Sequence, residues 1–363
     1  MSRRMLISLL GGLILSAGAL YLAFRNVPLA ELGGYLAEIN YLWILPASVI
    51  ILVAFALRAL RWQMILADTA AVSFPSAFHP LMIGFMLNCV LPGRVGEVIR
   101  PAIIHRRDDV PFSGALATVA AERVFDAVVL IFLLAVVLAT VTIDPDLDVT
   151  FGGYQLNREM LESMGRRMGQ LSAILVIGIG LLIFQRTRNW IHAAIGTLPG
   201  LFSFASSGFR DKVTRIAEWL SRTVDGFAGG FAMMRRPGGI FACIGLSVIL
   251  WLLHGLAYWI FTFGAPGVTM SFAEMTAVMV IICFFIALPS APGYWGLWEA
   301  GGVFAMTLFG IPEKEAAGFT LANHAIQMIP VIIVGLLSAL YVGIRSVRLA
   351  GRTAEEHPEA VGG

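Results

Sequence analysis

The sequence predicts an all-α polytopic membrane protein folded as an inverted repeat, each half supplying three membrane-crossing helices and one re-entrant, broken-helix element. Three observations lead there. Hydrophobic residues occupy 58% of the 363 positions and charged residues 13%, with a mean hydropathy of +0.83, whereas a soluble domain is about one quarter charged. Six apolar runs, 6–24, 42–57, 114–143, 171–184, 239–263 and 316–344, cross or nearly cross about 30 Å of hydrocarbon. Two Pro- and Gly-bearing stretches interrupt the apolar pattern at matching places in the two halves.

The run 6–24 follows Arg3 and Arg4. It is too long for a usual signal-peptide core and more spans follow, so an uncleaved first helix is expected. Placement of Arg and Lys sets the orientation. Arg3, Arg4, Arg58, Arg61, Arg106 and Arg107 are expected inside and the Asp144–Asp148 loop outside. The segment 185–238 carries eight basic residues against three acidic ones and Arg345, Arg348 and Arg352 follow the last run, so both termini are expected in the cytoplasm. The assignment closes only if each broken region, about 80–112 and about 274–312, enters and leaves on one side. Three crossings per half then invert the second half, 151–363, relative to the first, 1–150.

The first broken stretch is Leu91-Pro-Gly-Arg-Val-Gly-Glu-Val-Ile-Arg100 and the second is Leu288-Pro-Ser-Ala-Pro-Gly-Tyr-Trp-Gly-Leu-Trp-Glu299. Pro92, Gly93 and Gly96 recur as Pro292, Gly293 and Gly296 and are expected to act as hinges. Proline removes a helix donor and glycine reaches backbone angles closed to other residues. Ala121-Glu-Arg-Val-Phe-Asp126 lines up at almost the same interval with Ala322-Asn-His-Ala-Ile-Gln327. Matched interruptions in two halves point to a transporter site.

Ionisable groups at membrane depth are costly and are functional candidates by default. Glu122 and Asp126 share a helix face with Arg123 beside them, and Arg94, Glu97 and Arg100 lie in the first break. Together they suit a phosphate head group, because guanidinium forks and helix-end N–H groups both favour it. The same residues would equally form an internal network holding the repeat together. Glu299, Asn323, His324 and Gln327 are their counterparts; His324 is either a proton relay or a satisfied core histidine. Tyr294, Trp295 and Trp298 are expected in an interfacial belt. Only two of 25 basic residues are Lys, a bias that suits bidentate phosphate recognition and is equally produced by base composition.

The segment 189–236 interleaves Trp190, Phe202, Ile216 and Trp219 with Arg210, Lys212, Arg215 and Arg222. It reads as amphipathic helices lying on anionic inner-leaflet lipid or packing on the bundle. The tail 353–363 is expected to be disordered. Cys89, Cys243 and Cys283 sit in apolar runs without metal spacing, and His79, His105, His192 and His254 form no ligand cluster. No phosphate loop, nucleophile elbow or zinc-protease motif is present. We therefore expect no enzyme activity, cofactor, metal or nucleic-acid partner.

Asn88–Arg100, Ala121–Asp126 and the Leu288–Glu299 stretch, in that order, resemble the lysylphosphatidylglycerol synthase transmembrane region, or flippase-like domain, over nearly the whole chain. The resemblance implies a lipid-handling protein of the bacterial inner membrane. In some members this domain moves aminoacylated phosphatidylglycerol between leaflets and precedes an aminoacyl-transferase domain, which is not expected in this chain ending at Gly363. Other stand-alone members accompany hopanoid synthesis or lipid-linked glycosyltransferases. The expectation is a lipid translocase for a phospholipid, glycolipid or hopanoid-type lipid, with a lipid-modifying enzyme as partner. A small-solute transporter and a membrane-embedded or accessory component of a lipid-modifying transferase remain as alternatives.

Overall fold

The computed structural model describes residues 16–140, 149–151, 154–156, 184–202, 207–232, 236–288 and 291–356, with isolated positions elsewhere. Helices carry the fold: α1 (16–24), α2 (Leu29–Glu38), α3 (Ile44–Leu66), α4 (Phe74–Val90), α5 (Gly96–Asp108), α6 (Phe112–Thr140), α7 (Gln185–Leu201), α8 (Ser207–Gly230), α9 (Pro237–Thr262), α10 (Phe272–Ile286), α11 (Leu297–Leu308) and α12 (Glu313–Glu356). A short antiparallel hairpin, β1 (Val149–Phe151) with β2 (Tyr154–Leu156), pairs Thr150 with Gln155.

Three stretches, Tyr41–Leu66, Pro237–Thr262 and Glu313–Gly343, are helical, long and apolar enough to cross a membrane. They cover the expected runs 42–57, 239–263 and 316–344, and the first is longer than its apolar run. The run 114–143 falls on α6 as far as Thr140, with 141–143 outside the described residues; α6 is equally long but carries Glu122, Arg123 and Asp126. Runs 6–24 and 171–184 fall partly or mostly outside the described residues, as do 357–363. The tail expected to be disordered from 353 begins inside α12, which runs to Glu356.

Large apolar side chains face outward along helical stripes, Leu45, Val49, Val53 and Leu60 on α3 and Ile329, Ile333, Leu336 and Leu340 on α12. An apolar exterior around a polar interior is the arrangement lipid demands. The inward stripe of α3 repeats at alternating steps of four and three: Ala47, Ile51, Ala54, Arg58, Arg61 and Ile65, none more than 3% exposed. Arg58 and Arg61, expected on the cytoplasmic side, are buried within the bundle because α3 continues past its apolar run to Leu66.

Both expected breaks are present. Ser73 and Ser271 cap α4 and α10 with their side chains, Ser271 in a reciprocal capping box with Glu274. The first interruption spans 91–95 and the second 287–296, and each bends the chain with a left-handed pair: Gly93 (φ 79°) with Arg94 (φ 53°), and Gly293 (φ 66°) with Tyr294 (φ 64°). The helices on either side fold back and pack on each other, α4 on α5 and α10 on α11. At 17, 13, 15 and 12 residues they measure about 26, 20, 22 and 18 Å at 1.5 Å per residue, each short of about 30 Å of hydrocarbon.

The neighbour relations of α3, α4, α5 and α6 recur among α9, α10, α11 and α12. α3 packs on α4 as α9 does on α10; α5 packs on α6 as α11 does on α12; α4 packs on α12 as α10 does on α6; α3 and α9 pack on each other. At the end of the bundle where α6 begins, α8 docks through Gly226 against Ser113 and Gly230 against the Gly114 carbonyl.

The first hairpin depends on a glycine pair. A Cβ on Gly96 would overlap the Gly84 carbonyl, and Gly96 N–H donates to Asn88 Oδ1 at 2.8 Å. Gly96→Ala should therefore cost about 1–3 kcal/mol, read as a lower thermal midpoint in detergent. Gly18→Ala, which meets nothing within 4 Å, should leave the midpoint in place.

Candidate functional site

Helix α6 carries Glu122 and Asp126 inward, and four guanidinium groups converge on them from three helices. Arg61 on α3 donates from Nη1 to Asp126 Oδ1 at 2.7 Å and from Nη2 to Glu122 Oε1 at 3.4 Å. Arg58, one turn earlier, donates to Asp126 Oδ2 at 2.9 Å. Arg100 on α5 donates to Glu122 Oε2 and stacks over Trp62, 4.7 Å from the ring centroid. Arg123 lies 3.7 Å from Asp126 and 3.9 Å from Glu97. Ser247 on α9 accepts from Arg61, so the network reaches the second half.

Arg58, Arg61, Arg100, Glu122 and Asp126 are buried, while the Arg123 and Glu97 side chains are about one third open. Among the described residues the cluster holds four cations against three anions. Nε and Nη1 of Arg100 and Nε of Arg58 and of Arg61 are buried without a hydrogen-bond partner. The geometry brings together five of the six first-half residues named from sequence. The sixth, Arg94, stands apart: its Nη2 donates to the Ile286 carbonyl at 2.7 Å and its guanidinium lies 5.7 Å from the Tyr294 ring centroid. It ties the two breaks together. Sequence reading missed Arg58 and Arg61, although the four-and-three spacing of the buried α3 stripe could have found them.

The second-half residues form a separate and less charged cluster. Glu299 Oε2 accepts from Gly296 N at 2.7 Å, and Glu299 Oε1 lies 2.5 Å from His324 Nδ1. His324 Nε2 lies 2.9 Å from the Gly293 carbonyl oxygen. Both side chains are fully buried. Trp295 and Trp298, expected in an interfacial belt, pack on the His324 ring with centroids 4.4 Å away, Trp298 parallel to it. Asn323 sits beside the Tyr258 hydroxyl and Gln327 beside His254. Both Asn323 side-chain atoms and Gln327 Nε2 nevertheless lack a well-formed hydrogen bond.

His254 completes the bridge between the clusters, packing on Trp251 and Phe55. The Arg58 guanidinium lies near the same two rings, 5.7 Å and 5.9 Å from their centroids. The six residues expected to act as hinges divide by geometry. Gly93 supplies a left-handed turn, Gly96 supplies close approach, and Gly293 and Gly296 do both, Gly293 against the Cys89 carbonyl and Gly296, with φ 90°, against the Ser16 carbonyl. Pro92 and Pro292 precede the two turning glycines.

Removing one partner from a buried ion network costs about 3–5 kcal/mol because the remaining charges are left desolvated. Asp126→Asn should therefore destabilise the protein by that order in detergent unfolding. Glu97→Gln, at the open edge, should stay within about 1 kcal/mol.

Comparison with known proteins fits this membrane architecture. Over 96% of its length the chain is 24% identical to a Haloferax volcanii protein named Glycosyltransferase AglD, of which the match covers 57%. It is 21% identical over 86% of its length to a UPF0104 membrane protein of Methanothermobacter thermautotrophicus, covering 89% of that protein. A second UPF0104 membrane protein, from Methanocaldococcus jannaschii, is 22% identical over 80% of the chain and matched over 82% of its own length. No solved structure matches. Residues 9–335 match the family described as the lysylphosphatidylglycerol synthase TM region, and the chain belongs to that family of membrane proteins.

Proposed function

We propose that this protein moves a phosphate-bearing lipid between the leaflets of the bacterial inner membrane, with both termini in the cytoplasm. The observation that carries the reading is the surplus cation of the α3–α5–α6 network. Four guanidinium groups face three carboxylates, and Arg100 holds buried donors without acceptors. A buried donor without an acceptor costs about 1–3 kcal/mol, and a phosphodiester would both offset the surplus and accept from those donors. Arg123 and Glu97 stand at the open edge, where a head group would first make contact. Acyl chains would stay against the apolar outer stripes of the helices.

An inverted repeat with two re-entrant hairpins accounts for the rest. The exchangeable packing relations of α3–α6 and α9–α12 support the repeat, and the four short hairpin helices support re-entry. Halves related in this way can rock about a central site and expose it to each side in turn. Arg94 and Glu299, Asn323, His324 and Gln327 belong to this pathway as residues of the break and of the opposite wall. A second reading makes the chain an accessory component of a lipid-modifying transferase, favoured by the relative whose name is a glycosyltransferase.

Mass spectrometry of lipid retained by the gently purified full chain tests the proposal. The wild type should carry a phosphate-bearing lipid enriched above bulk proportions; Arg123→Gln should lose roughly tenfold of that enrichment, whereas Glu97→Gln, which removes an anion from the same edge, should retain it with an unchanged thermal midpoint. Bulk lipid in bulk proportions in all three would overturn the head-group site. In vesicles, wild type should carry a fluorescent phosphatidylglycerol across the bilayer and Arg123→Gln should not; conversion of lipid instead of movement would favour the transferase reading. Cysteines placed along 80–112 should be labelled from one side only, since labelling of the two ends from opposite sides would rule out re-entry.

A further inference from the structure

The lipid pathway proposed above places Glu299 and His324 in its wall but gives this buried titratable pair no proton chemistry. Both nitrogens of His324 face oxygen: Nδ1 faces Glu299 Oε1 at 2.5 Å and Nε2 faces the Gly293 carbonyl at 2.9 Å. A carbonyl only accepts, so Nε2 must carry a proton. The second contact then needs one more proton, either on Nδ1 or on Glu299, and the hydrogen-bond count is the same in both cases. If that proton leaves, two bare lone pairs meet at one contact or the other, and one of the two bonds must break.

Both bonds hold the second break. Gly293 is its left-handed turn, and Glu299 accepts from Gly296 N, the N-cap of α11. We propose that Glu299 and His324 form a proton-binding site whose single shared proton latches the second break closed, and whose release to water frees the break to open. The proposal rests on the transporter reading and adds its coupling ion. The step moves one proton from the pair to water and changes no other covalent bond.

The surroundings suit such a site. Trp295 and Trp298 both pack on the imidazole, Trp298 parallel to it, and an indole face favours a cation. Among the described residues, Tyr258 on α9 lies near Glu299, beside Asn323 and stacked on Trp298, and Cys283 on α10 lies near Tyr258. Cys89 on α4 presents its backbone carbonyl to Gly293. Across the break, Arg94 lies against the Tyr294 ring and the Ile286 carbonyl. Toward the start of α12, Tyr35 of α2 packs on Gly318 and Glu315 on Gly267. Ser16 of α1 adds a neutral contact, accepting from Ala291 N.

Amide hydrogen exchange of the full chain in micelles, followed from about pH 5 to pH 9, reads the latch without any lipid substrate. After correction for intrinsic rates, wild-type protection of 291–300 should fall roughly tenfold in one step as pH rises. His324→Gln and Glu299→Gln should show no step, whereas Arg123→Gln should keep it. Flat protection in the wild type would overturn the proposal, as would the same step in His324→Gln. Because the wild type alone can refute it, a variant that fails to fold leaves the test intact. A missing step would leave the lipid site standing, and a step without retained lipid would leave the latch standing.

Discussion

Arg61 is the group on which the interior of this protein depends. Its guanidinium spans Glu122 and Asp126 on α6 and also reaches Ser247 on α9, so one side chain fixes three helices that are distant in sequence. Desolvating an ion costs several kcal/mol, and the attraction that offsets it exists only when geometry is held. The network therefore stabilises one arrangement of α3, α5 and α6 and penalises any slippage between them. In lipid, where apolar contacts distinguish poorly between one packing and another, that penalty sets the register.

Much of this arrangement was legible in the sequence. The two Pro-Gly interruptions announced helix breaks, and they fold with the same left-handed pair at Gly93–Arg94 and Gly293–Tyr294. Glu122, Arg123 and Asp126 in an apolar run announced a polar interior. Arg58 and Arg61 were not assigned to the site because they follow an apolar run in the way that cytoplasmic anchoring residues do. A hydropathy run marks where apolar residues stop, not where a helix stops, and α3 continues to Leu66. Arg94 was grouped with the cluster by its proximity in sequence. It shares a short stretch with Glu97 and Arg100, but its left-handed backbone turns it toward Ile286 and away from them.

His324 illustrates a further limit. A lone histidine in an apolar helix carries no local sign of its partner, which lies on another helix and is joined to it only by tertiary packing. Two tryptophans that read as an interfacial belt cover its ring instead, since Trp serves membrane interfaces and aromatic cages alike.

The two halves use matched positions for different chemistry, and the difference follows from how buried charge behaves. In the first half, Glu122 and Asp126 are compensated by guanidinium groups, which stay charged, and breaking the set costs several kcal/mol. At the aligned positions Asn323 and Gln327 are neutral, and the acid of the second half, Glu299, is compensated by a histidine, the side chain whose charge changes most readily near neutral pH. Asn323 and Gln327 also hold buried polar atoms without well-formed bonds, so a rearrangement there has less to lose. In the proposed cycle the first half then serves as the fixed wall that presents guanidinium groups to the head group. The second half is the wall that moves, because its closure depends on a proton that can come and go.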